Sequence, residues 1–226
     1  LQEVGYIYSR LTNPTVAVLQ ERVATLEGGV GAVCCSSGHA AQIMALFPLM
    51  EPGRNVVAST RLYGGTVTQL SQTIKRFGWS ATFVDFDDLD AVRNAIDDDT
   101  RAIFCETIAN PGGVITDLDA IGSIADAAGI PLIVDNTTAT PYLCNPIALG
   151  ATLVVHSTTK YLTGNGTVTG GVVVDSGKFD WSASDKFPSL SQPEPAYHGL
   201  KFHETFGPLA FTFHGIAIGL RDLGMT

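Results

Sequence analysis

An apolar run near residue 155 ends in a lysine that is flanked by hydroxyl side chains. Lys160 follows the β-branched stretch 153–155, has Ser157 and Thr159 beside it, and is followed by a glycine-rich segment. A strand ending here would present the lysine to form a Schiff base with an aldehyde cofactor, while the hydroxyls bind the phosphate of that cofactor. Taken alone, the pattern favours a surface lysine at a strand end, because motif matches of this length often arise by chance.

A strand, a turn of small residues and a helix are predicted around Gly38. The strand Gly31–Cys35 leads through Ser37 into a helix that runs to Leu46. The N-terminus of such a helix offers unpaired N–H groups and about half a positive charge, so the backbone at Gly38 and His39 can hold an anion such as phosphate. No GxGxxG or Walker sequence accompanies the turn, and the His39 ring either packs in the core or contacts a ligand.

Three further polar side chains follow apolar runs. Tyr63 precedes paired glycines, where an aromatic ring either belongs to an ordinary loop or stacks on a flat ligand. Asp135 ends the apolar run 131–134 and either caps a helix or meets a ligand. Pro141 follows too soon for a long helix, which favours the ligand. Asn110 lies in a loop that contains proline and glycine at the end of another predicted strand.

Apolar runs of strand length alternate with segments of helical periodicity along most of the chain. This alternation predicts an α/β fold with a mostly parallel sheet and helices on both faces. Ligands of such sheets bind outside the carboxyl ends of the strands, which is where the polar residues above fall, so we treat them as one site. The predicted strands cover residues 31–35, 55–59, 81–86, 101–105, 131–134 and 153–155, and helices are predicted to begin near residues 14, 38, 66, 88 and 118.

Composition disfavours several classes of function. The 226 residues are 45% hydrophobic and carry 13 basic against 22 acidic side chains, a net charge of -9 without a Lys/Arg cluster. Such a chain is poorly suited to nucleic acid or to an anionic membrane, and small molecules are the expected partners. Without a signal-peptide pattern or an apolar stretch of ~20 residues, we expect a cytoplasmic location. The cysteines lack metal-ligand spacing, so we expect buried thiols with neither disulfide nor zinc; they are Cys34, Cys35, Cys105 and Cys144.

Six short motifs stand in a fixed order along the chain. They are Tyr8-Ser9-Arg10 with Asn13-Pro14-Thr15, Ser36-Ser37-Gly38, Tyr63-Gly64, Glu106 with Asn110-Pro111, Val134-Asp135-Asn136-Thr137, and Ser157-Thr158-Thr159-Lys160. This series resembles the Cys/Met-metabolism family of pyridoxal-phosphate (PLP) enzymes over essentially the whole chain. The resemblance implies a fold-type I, aminotransferase-like large domain, pyridoxal 5'-phosphate as cofactor, no metal, and a homo-oligomer that is commonly a tetramer.

The resemblance also implies a role for each matching residue. Lys160 would carry the cofactor as a Schiff base and move protons once substrate displaces it. Asp135 would keep the pyridine nitrogen protonated, and Tyr63 would stack on the ring and assist proton transfer, which makes these three the predicted catalytic residues. The predicted cofactor-binding residues are Tyr8, Arg10, Ser37, Gly38, His39, Tyr63, Asn110, Asp135, Thr137, Ser157, Thr159 and Lys160.

The matches at His39 and in the N-terminal arm differ in kind from the others. His39 stands where relatives often carry Met or Gln, so the resemblance supports a role for its backbone N–H and leaves the role of its ring open. Tyr8 and Arg10 precede the first helix, and relatives donate this pair to a neighbour's cofactor across a dimer interface. Since arginine suits a fork-like contact with phosphate, the resemblance implies an active site that is shared between subunits.

By the resemblance, the chain divides into a partial N-terminal arm over residues 1–15, a PLP-binding large domain over 16–210, and a helix over 211–226. That helix would lead to a C-terminal domain that this chain lacks and that would carry an arginine for the substrate carboxylate. We therefore expect an incomplete enzyme with little turnover of its own.

The segment Pro195–Gly207 resembles an insertion of O-acetylhomoserine sulfhydrylases. This predicts a transferase that replaces the acetate of O-acetylhomoserine with sulfide or a thiol, giving homocysteine and acetate in methionine and cysteine biosynthesis. Alternatives within the family are cystathionine γ-synthase, O-succinylhomoserine sulfhydrylase and methionine γ-lyase, which would share every cofactor residue. A non-catalytic binding protein of this fold would be expected to lack Lys160, which is present.

Overall fold

The computed structural model describes residues 5–223 as a seven-stranded sheet with helices against both faces. Residues 1–4 of the predicted arm and 224–226 of the predicted C-terminal helix lie outside the described residues. The strands are β1 Gly31–Cys35, β2 Asn55–Ser59, β3 Ser80–Val84, β4 Thr100–Glu106, β5 Leu132–Asp135, β6 Leu153–His156 and β7 Gly171–Asp175.

One helix precedes β1, and the others lie between strands or after β7. The α-helices are α1 Pro14–Glu27, α2 Gly38–Leu46, α3 Gly64–Thr68, α4 Leu89–Ala95, α5 Leu118–Ala127, α6 Thr140–Leu143, α7 Pro188–Ser191, α8 Phe202–Phe206 and α9 Ala210–His214. α3 continues as a π turn over Gln69–Thr73 and a 3-10 turn over Ile74–Phe77, and α9 continues as a π-helix over Gly215–Leu223. Other 3-10 turns cover Pro146–Leu149, Pro195–Tyr197 and Gly207–Leu209. None of the helices within residues 5–223 combines the length and apolarity that crossing a membrane requires.

The sheet is mostly parallel, as the alternation of elements predicted. Its strand order is β1-β7-β6-β5-β4-β2-β3. β7 runs antiparallel to both of its neighbours, and the other pairs are parallel. Because β1 lies beyond the reversed strand, β1 points in the same direction as β6 and ends at the same edge. The polar residues that follow β1, β2, β4, β5 and β6 therefore meet at one carboxyl edge.

Burial on both faces explains why the central strands are continuous apolar runs. Every residue of β4, β5 and β6 is buried, as expected of parallel strands that are covered on two sides. Alternate side chains enter opposite layers: Phe104 and Val155 pack with α2, whereas Ile103 and Val154 pack with α1 and α5. The two hydrophobic layers hold the strand ends at fixed positions.

The first helix begins and ends where the sequence predicted. The Asn13 side chain caps α1 by accepting from the N–H groups of Thr15 and Val16 at 2.9 and 3.3 Å, and Gly28 ends the helix with a φ of 76°. The described part of the arm before it, residues 5–13, is not fully extended. The Tyr8 carbonyl accepts from two N–H groups three and four residues later, which makes a turn.

Three details differ from the sequence prediction. β3 ends at Val84 rather than at Phe86, because the Asp85 carboxylate accepts from the Asp87 N–H at 3.1 Å and starts a turn. β7 was not predicted at all. The C-terminal helix begins at Ala210, one residue before the predicted boundary.

The four cysteines are free, and all but the half-buried Cys144 are buried.

Candidate active site

A cleft of about 1000 Å³ opens at the carboxyl edge of the sheet. Its walls come from the segments that follow β1, β2, β4, β5 and β6. All predicted cofactor-binding residues except Tyr8 and Arg10 line this cleft, namely Ser37, Gly38, His39, Tyr63, Asn110, Asp135, Thr137, Ser157, Thr159 and Lys160. The common strand direction therefore brings most of the predicted set into one place.

The start of α2 and the end of β6 approach each other closely at one end of the cleft. A Cβ atom on Gly38 would lie 2.7 Å from the Ser157 Cβ and 3.0 Å from the Ser157 Cα, so only glycine fits here. The Ser37 hydroxyl caps α2 by accepting from the Ala40 N–H at 3.1 Å. The free N–H groups of this nine-residue helix and the Ser157 hydroxyl form a place for an anion.

Asp135 is buried and held from two sides. One carboxylate oxygen accepts from the Thr137 N–H at 3.0 Å and also from the Thr137 hydroxyl. The other oxygen accepts from the Gln42 amide at 3.1 Å, and that amide also donates to Thr66. The Ser157 N–H donates to the Thr137 hydroxyl at 2.8 Å, which links the acid to the anion end of the cleft. Asp135 is therefore fixed as a hydrogen-bond acceptor.

Gln42 was not predicted as a site residue, although the signal was present. It lies on α2 four residues after Gly38, which is one turn along the same side of the helix. The Gln42 side chain is 2% exposed, lies in the cleft wall and contacts Asp135. A polar residue at this spacing in an apolar helix is the signal. Helical spacing from the predicted anion site could have identified it.

A layer of hydrogen bonds on the opposite face of the sheet supports the same strand ends. The Glu27 carboxylate of α1 contacts the His156 Nε2 at 2.6 Å and accepts from the Asn136 amide at 2.8 Å. All three side chains are at most 1% exposed. Because Asn136 follows Asp135 and His156 precedes Ser157, this layer anchors both cleft residues from behind.

Tyr63 lies half-exposed at the mouth of the cleft, next to His39. The two ring centroids are 5.9 Å apart. A Cβ atom on Gly65 would lie 2.6 Å from both rings, so glycine at this position allows the rings to meet. The His39 ring therefore packs against Tyr63.

Glu106 was predicted only as part of a motif, yet it joins two walls of the cleft. It is 5% exposed at the end of β4, beside Asp135 in the next strand. One carboxylate oxygen accepts from the Tyr63 N–H at 2.7 Å and the other from the Asn110 N–H at 2.9 Å. Burial raises the pKa of Glu106 to about 7, although both N–H groups act to lower it.

The loop that carries Lys160 is held by its backbone. The Lys160 N–H donates to the Ser157 carbonyl at 3.2 Å, while the lysine side chain is exposed. The Thr159 hydroxyl, predicted to bind phosphate, exchanges hydrogen bonds with both backbone groups of Gly170 at 3.0 and 3.2 Å. Thr159 thus lines the cleft with its hydroxyl directed to its own chain.

Tyr8 and Arg10 lie outside the cleft of their own chain. Both are exposed, and the Arg10 guanidinium lies 5.1 Å from the centroid of the Tyr8 ring. The structure therefore does not bring this pair together with the other predicted cofactor-binding residues.

Comparison with known proteins adds to this geometry. The family model of the Cys/Met metabolism PLP-dependent enzymes matches residues 1–212. The chain belongs to this family. Five of its six ordered motifs contribute residues to the cleft at the carboxyl edge of the sheet, and the motif that contains Tyr8 and Arg10 lies outside it.

The most similar proteins include sulfhydrylases. The chain is 50% identical to "Sulfhydrylase FUB7" of Fusarium oxysporum over 226 residues, which is 99% of this chain and 52% of that protein. It is 46% identical to the O-acetyl-L-homoserine sulfhydrylase of Leptospira meyeri over 232 residues, again 99% of this chain and 52% of that protein. The chain thus spans about half the length of the curated relatives it matches.

A solved structure from Campylobacter jejuni gives a TM-score of 0.96 at 42% identity and covers 100% of this chain and 56% of that chain. It is described as an O-acetylhomoserine (thiol)-lyase and carries an N'-pyridoxyl-lysine-5'-monophosphate. The fold-type I architecture of this chain is therefore that of PLP-dependent enzymes.

Proposed function

We propose that the cleft binds pyridoxal 5'-phosphate and that the full-length protein is an O-acetylhomoserine sulfhydrylase. The observation that carries the proposal is the polarity of the cleft. The cleft is lined both by a buried carboxylate, Asp135, and by the N-terminus of α2 with Ser157. A flat cation with a phosphate tail needs that arrangement.

The residues present fit the cofactor. A phosphate suits the cradle where Gly38 leaves no room for a Cβ against Ser157, because the N–H groups of α2 and a hydroxyl converge there. A protonated pyridine nitrogen suits Asp135, whose carboxylate is held in place by hydrogen bonds from Gln42 and Thr137. Lys160 on the cleft wall supplies the amine that holds an aldehyde.

When bound, the cofactor supplies an electron sink for the carbanion at the substrate Cα. Asp135 would hold the proton on the pyridine nitrogen. The Lys160 amine would take a proton from Cα of the substrate, release it to C4′ of the cofactor, and then take a proton from Cβ, since γ-replacement requires both transfers. The Tyr63 hydroxyl would supply a proton at the leaving-group oxygen, and the Asn110 amide would contact the cofactor's 3' oxygen.

The substrate assignment is supported by the relatives, because proteins named as sulfhydrylases are 46–50% identical to this chain. We propose that sulfide replaces the acetate of O-acetylhomoserine to give homocysteine and acetate. We also propose that Tyr8 and Arg10 serve the cofactor site of a second subunit, in a homo-oligomer that contains at least a dimer. Their exposure outside the cleft of their own chain supports this part of the proposal.

Product analysis with the full-length protein tests the reaction. O-acetylhomoserine, O-succinylhomoserine and methionine are each supplied with sulfide or with cysteine, and homocysteine, cystathionine and 2-oxobutyrate are measured. Homocysteine from O-acetylhomoserine and sulfide is the expected main product. If cystathionine or 2-oxobutyrate dominates at saturating sulfide, the reaction is wrong while the cofactor proposal stands.

A further inference from the structure

Glu106 is a buried acid to which the proposed mechanism gives no step. Its two carboxylate oxygens accept from two different loops, one from the Tyr63 N–H at 2.7 Å and one from the Asn110 N–H at 2.9 Å. These loops follow β2 and β4, and each carries a side chain that lines the cleft. A single carboxylate therefore connects the backbones of two residues that are proposed to contact the same cofactor.

Each loop has hydrogen bonds of its own, such as the Thr60 N–H to the Val84 carbonyl at 2.9 Å and the Ala109 N–H to the Val114 carbonyl at 2.8 Å, but these bonds do not join one loop to the other. Tyr63 is the residue before α3, and that helix has no hydrogen bond from a capping side chain. The loop after β4 contains Asn110 and is pinned by a bridge between Ile108 and Ile115, but Asn110 itself is exposed. The Glu106 carboxylate thus provides the cross-link between two loops that are far apart in sequence.

We propose that Glu106 is a positioning residue that fixes the Tyr63 and Asn110 loops relative to each other across the cleft. We call the Glu106 carboxylate with its hydrogen bonds to the Tyr63 and Asn110 N–H groups the clamp. Its function rests on the proposed function, in which Tyr63 and Asn110 face one bound cofactor. The ionised carboxylate suits this geometry, because each of its oxygens accepts from one loop and charge strengthens both hydrogen bonds.

A nearly isosteric substitution distinguishes the effect of the two hydrogen bonds from the effect of filling the space with a buried side chain. In Glu106→Gln the side chain keeps its size, but one of its two ends is an amide NH₂ that faces a backbone N–H. One loop must lose its hydrogen bond to the Glu106 side chain, and a part-buried N–H is left without that partner. In Glu106→Asp both acceptor oxygens remain, but the side chain is one methylene shorter and cannot reach both loops from the same backbone position.

The first test is amide hydrogen exchange of the full-length protein without cofactor, at about pH 8 so that Glu106 is ionised. We expect peptides containing Tyr63 and Asn110 to exchange at least ~10-fold faster in Glu106→Gln than in the wild type. Peptides from β5 should keep their protection, and Glu21→Gln, on the exposed face of α1, is the matched control. Unchanged exchange at both loops would overturn the proposal.

The second test separates positioning from cofactor loss in the loaded enzyme. At saturating cofactor, with cofactor content measured by absorbance, Glu106→Gln should lower kcat by about 10-fold or more while the KM for the amino-acid substrate changes less. A kcat equal to that of the wild type would refute the positioning role. If Glu106→Gln does not fold, Glu106→Asp is used in both tests with the same expectations. A failure of the wild type to bind PLP would refute the proposed function, whereas the exchange test would still decide the clamp.

Discussion

Asp135 and Lys160 each follow a buried strand at the same edge of the sheet, but the chain holds their side chains very differently. The Asp135 carboxylate is 9% exposed and accepts from Gln42 and Thr137. The Lys160 side chain is exposed, and the described hydrogen bonds of its residue are made by the backbone. The difference agrees with the roles that we propose. An electrostatic partner such as Asp135 would work best when it is fixed, whereas a lysine that exchanges partners and moves protons would need freedom.

The largest expected effect comes from removing the exposed lysine side chain of Lys160. Lys160→Ala should abolish turnover of the full-length protein, at least a ~10³-fold loss, because both proton transfers depend on the amine. An exposed side chain contributes little to packing, so the melting temperature should change by less than that of a core variant. Peptide mass spectrometry after borohydride treatment should find pyridoxyl on Lys160 in the wild type and on no peptide of the variant. Lys75→Ala, also exposed, is the control.

Arg10 in the N-terminal arm differs from both Asp135 and Lys160, because it lies outside the cleft of its own chain. If Arg10 serves a second subunit, a mixture of Arg10→Ala and Lys160→Ala subunits should recover activity, because each mixed dimer regenerates one intact site. Each variant alone should be nearly inactive, since arginine binds phosphate through paired hydrogen bonds. Absence of recovery, with mixed dimers demonstrated by mass, would argue that the sites are not shared.

Asp135→Asn tests the residue that the chain holds in place by hydrogen bonds. The neutral amide keeps the shape but no longer favours a protonated pyridine nitrogen, and its NH₂ end must oppose either Gln42 or Thr137. We expect some cofactor to remain bound and kcat to fall about 10²-fold. Cofactor content from absorbance and kcat at saturating substrate measure both parts. A near-normal kcat would mean that Asp135 has a structural role.

The sequence predicted the edge of the sheet better than it predicted the wall of the cleft. Strand ends are marked by a change from apolar to polar residues, so Asp135 and Ser157 could be located by position alone. The contact of Glu106 with the Tyr63 N–H joins residues 43 positions apart, and neither local pattern nor spacing in the chain specifies such a contact, whereas the helical spacing of Gln42 from Gly38 was available in the sequence. β7 escaped prediction for a related reason, because a reversed strand breaks the regular alternation of strand and helix.

Thr159 and His39 show a second limit of the sequence. Their types suggest a hydroxyl for phosphate and a ring for a ligand. In the structure the Thr159 hydroxyl bonds to Gly170 and the His39 ring packs on Tyr63. Side-chain direction is decided by the neighbours that folding supplies, so residue type alone cannot assign these roles.

The raised pKa of Glu106 gives a pH test of the buried part of the site. Burial shifts this pKa from 4.5 to about 7, so the folded state binds the proton more tightly than the unfolded state. Stability contributed by this group is complete at low pH and falls as pH rises from about 4.5 to about 7, by on the order of 3 kcal/mol, with no further change above that range. Urea unfolding at several pH values should show this loss in the wild type and not in Glu106→Gln. Parallel pH profiles for both proteins would contradict it.

The smallest effect is expected at His39, because its proposed contribution to phosphate binding comes from the backbone N–H rather than from the ring. His39→Gln keeps that N–H and removes only the packing against Tyr63, so the cofactor dissociation constant should change by less than about 3-fold, within the range of a surface substitution. Gly38→Ala is the contrasting variant. Its new Cβ would lie 2.7 Å from the Ser157 Cβ and force the anion end of the cleft apart, which should weaken cofactor binding by more than about 10-fold. Titration of both variants with PLP, followed by absorbance, measures the two constants. A larger loss in His39→Gln than in Gly38→Ala would show that the histidine ring, rather than the helix N-terminus, dominates this end of the site.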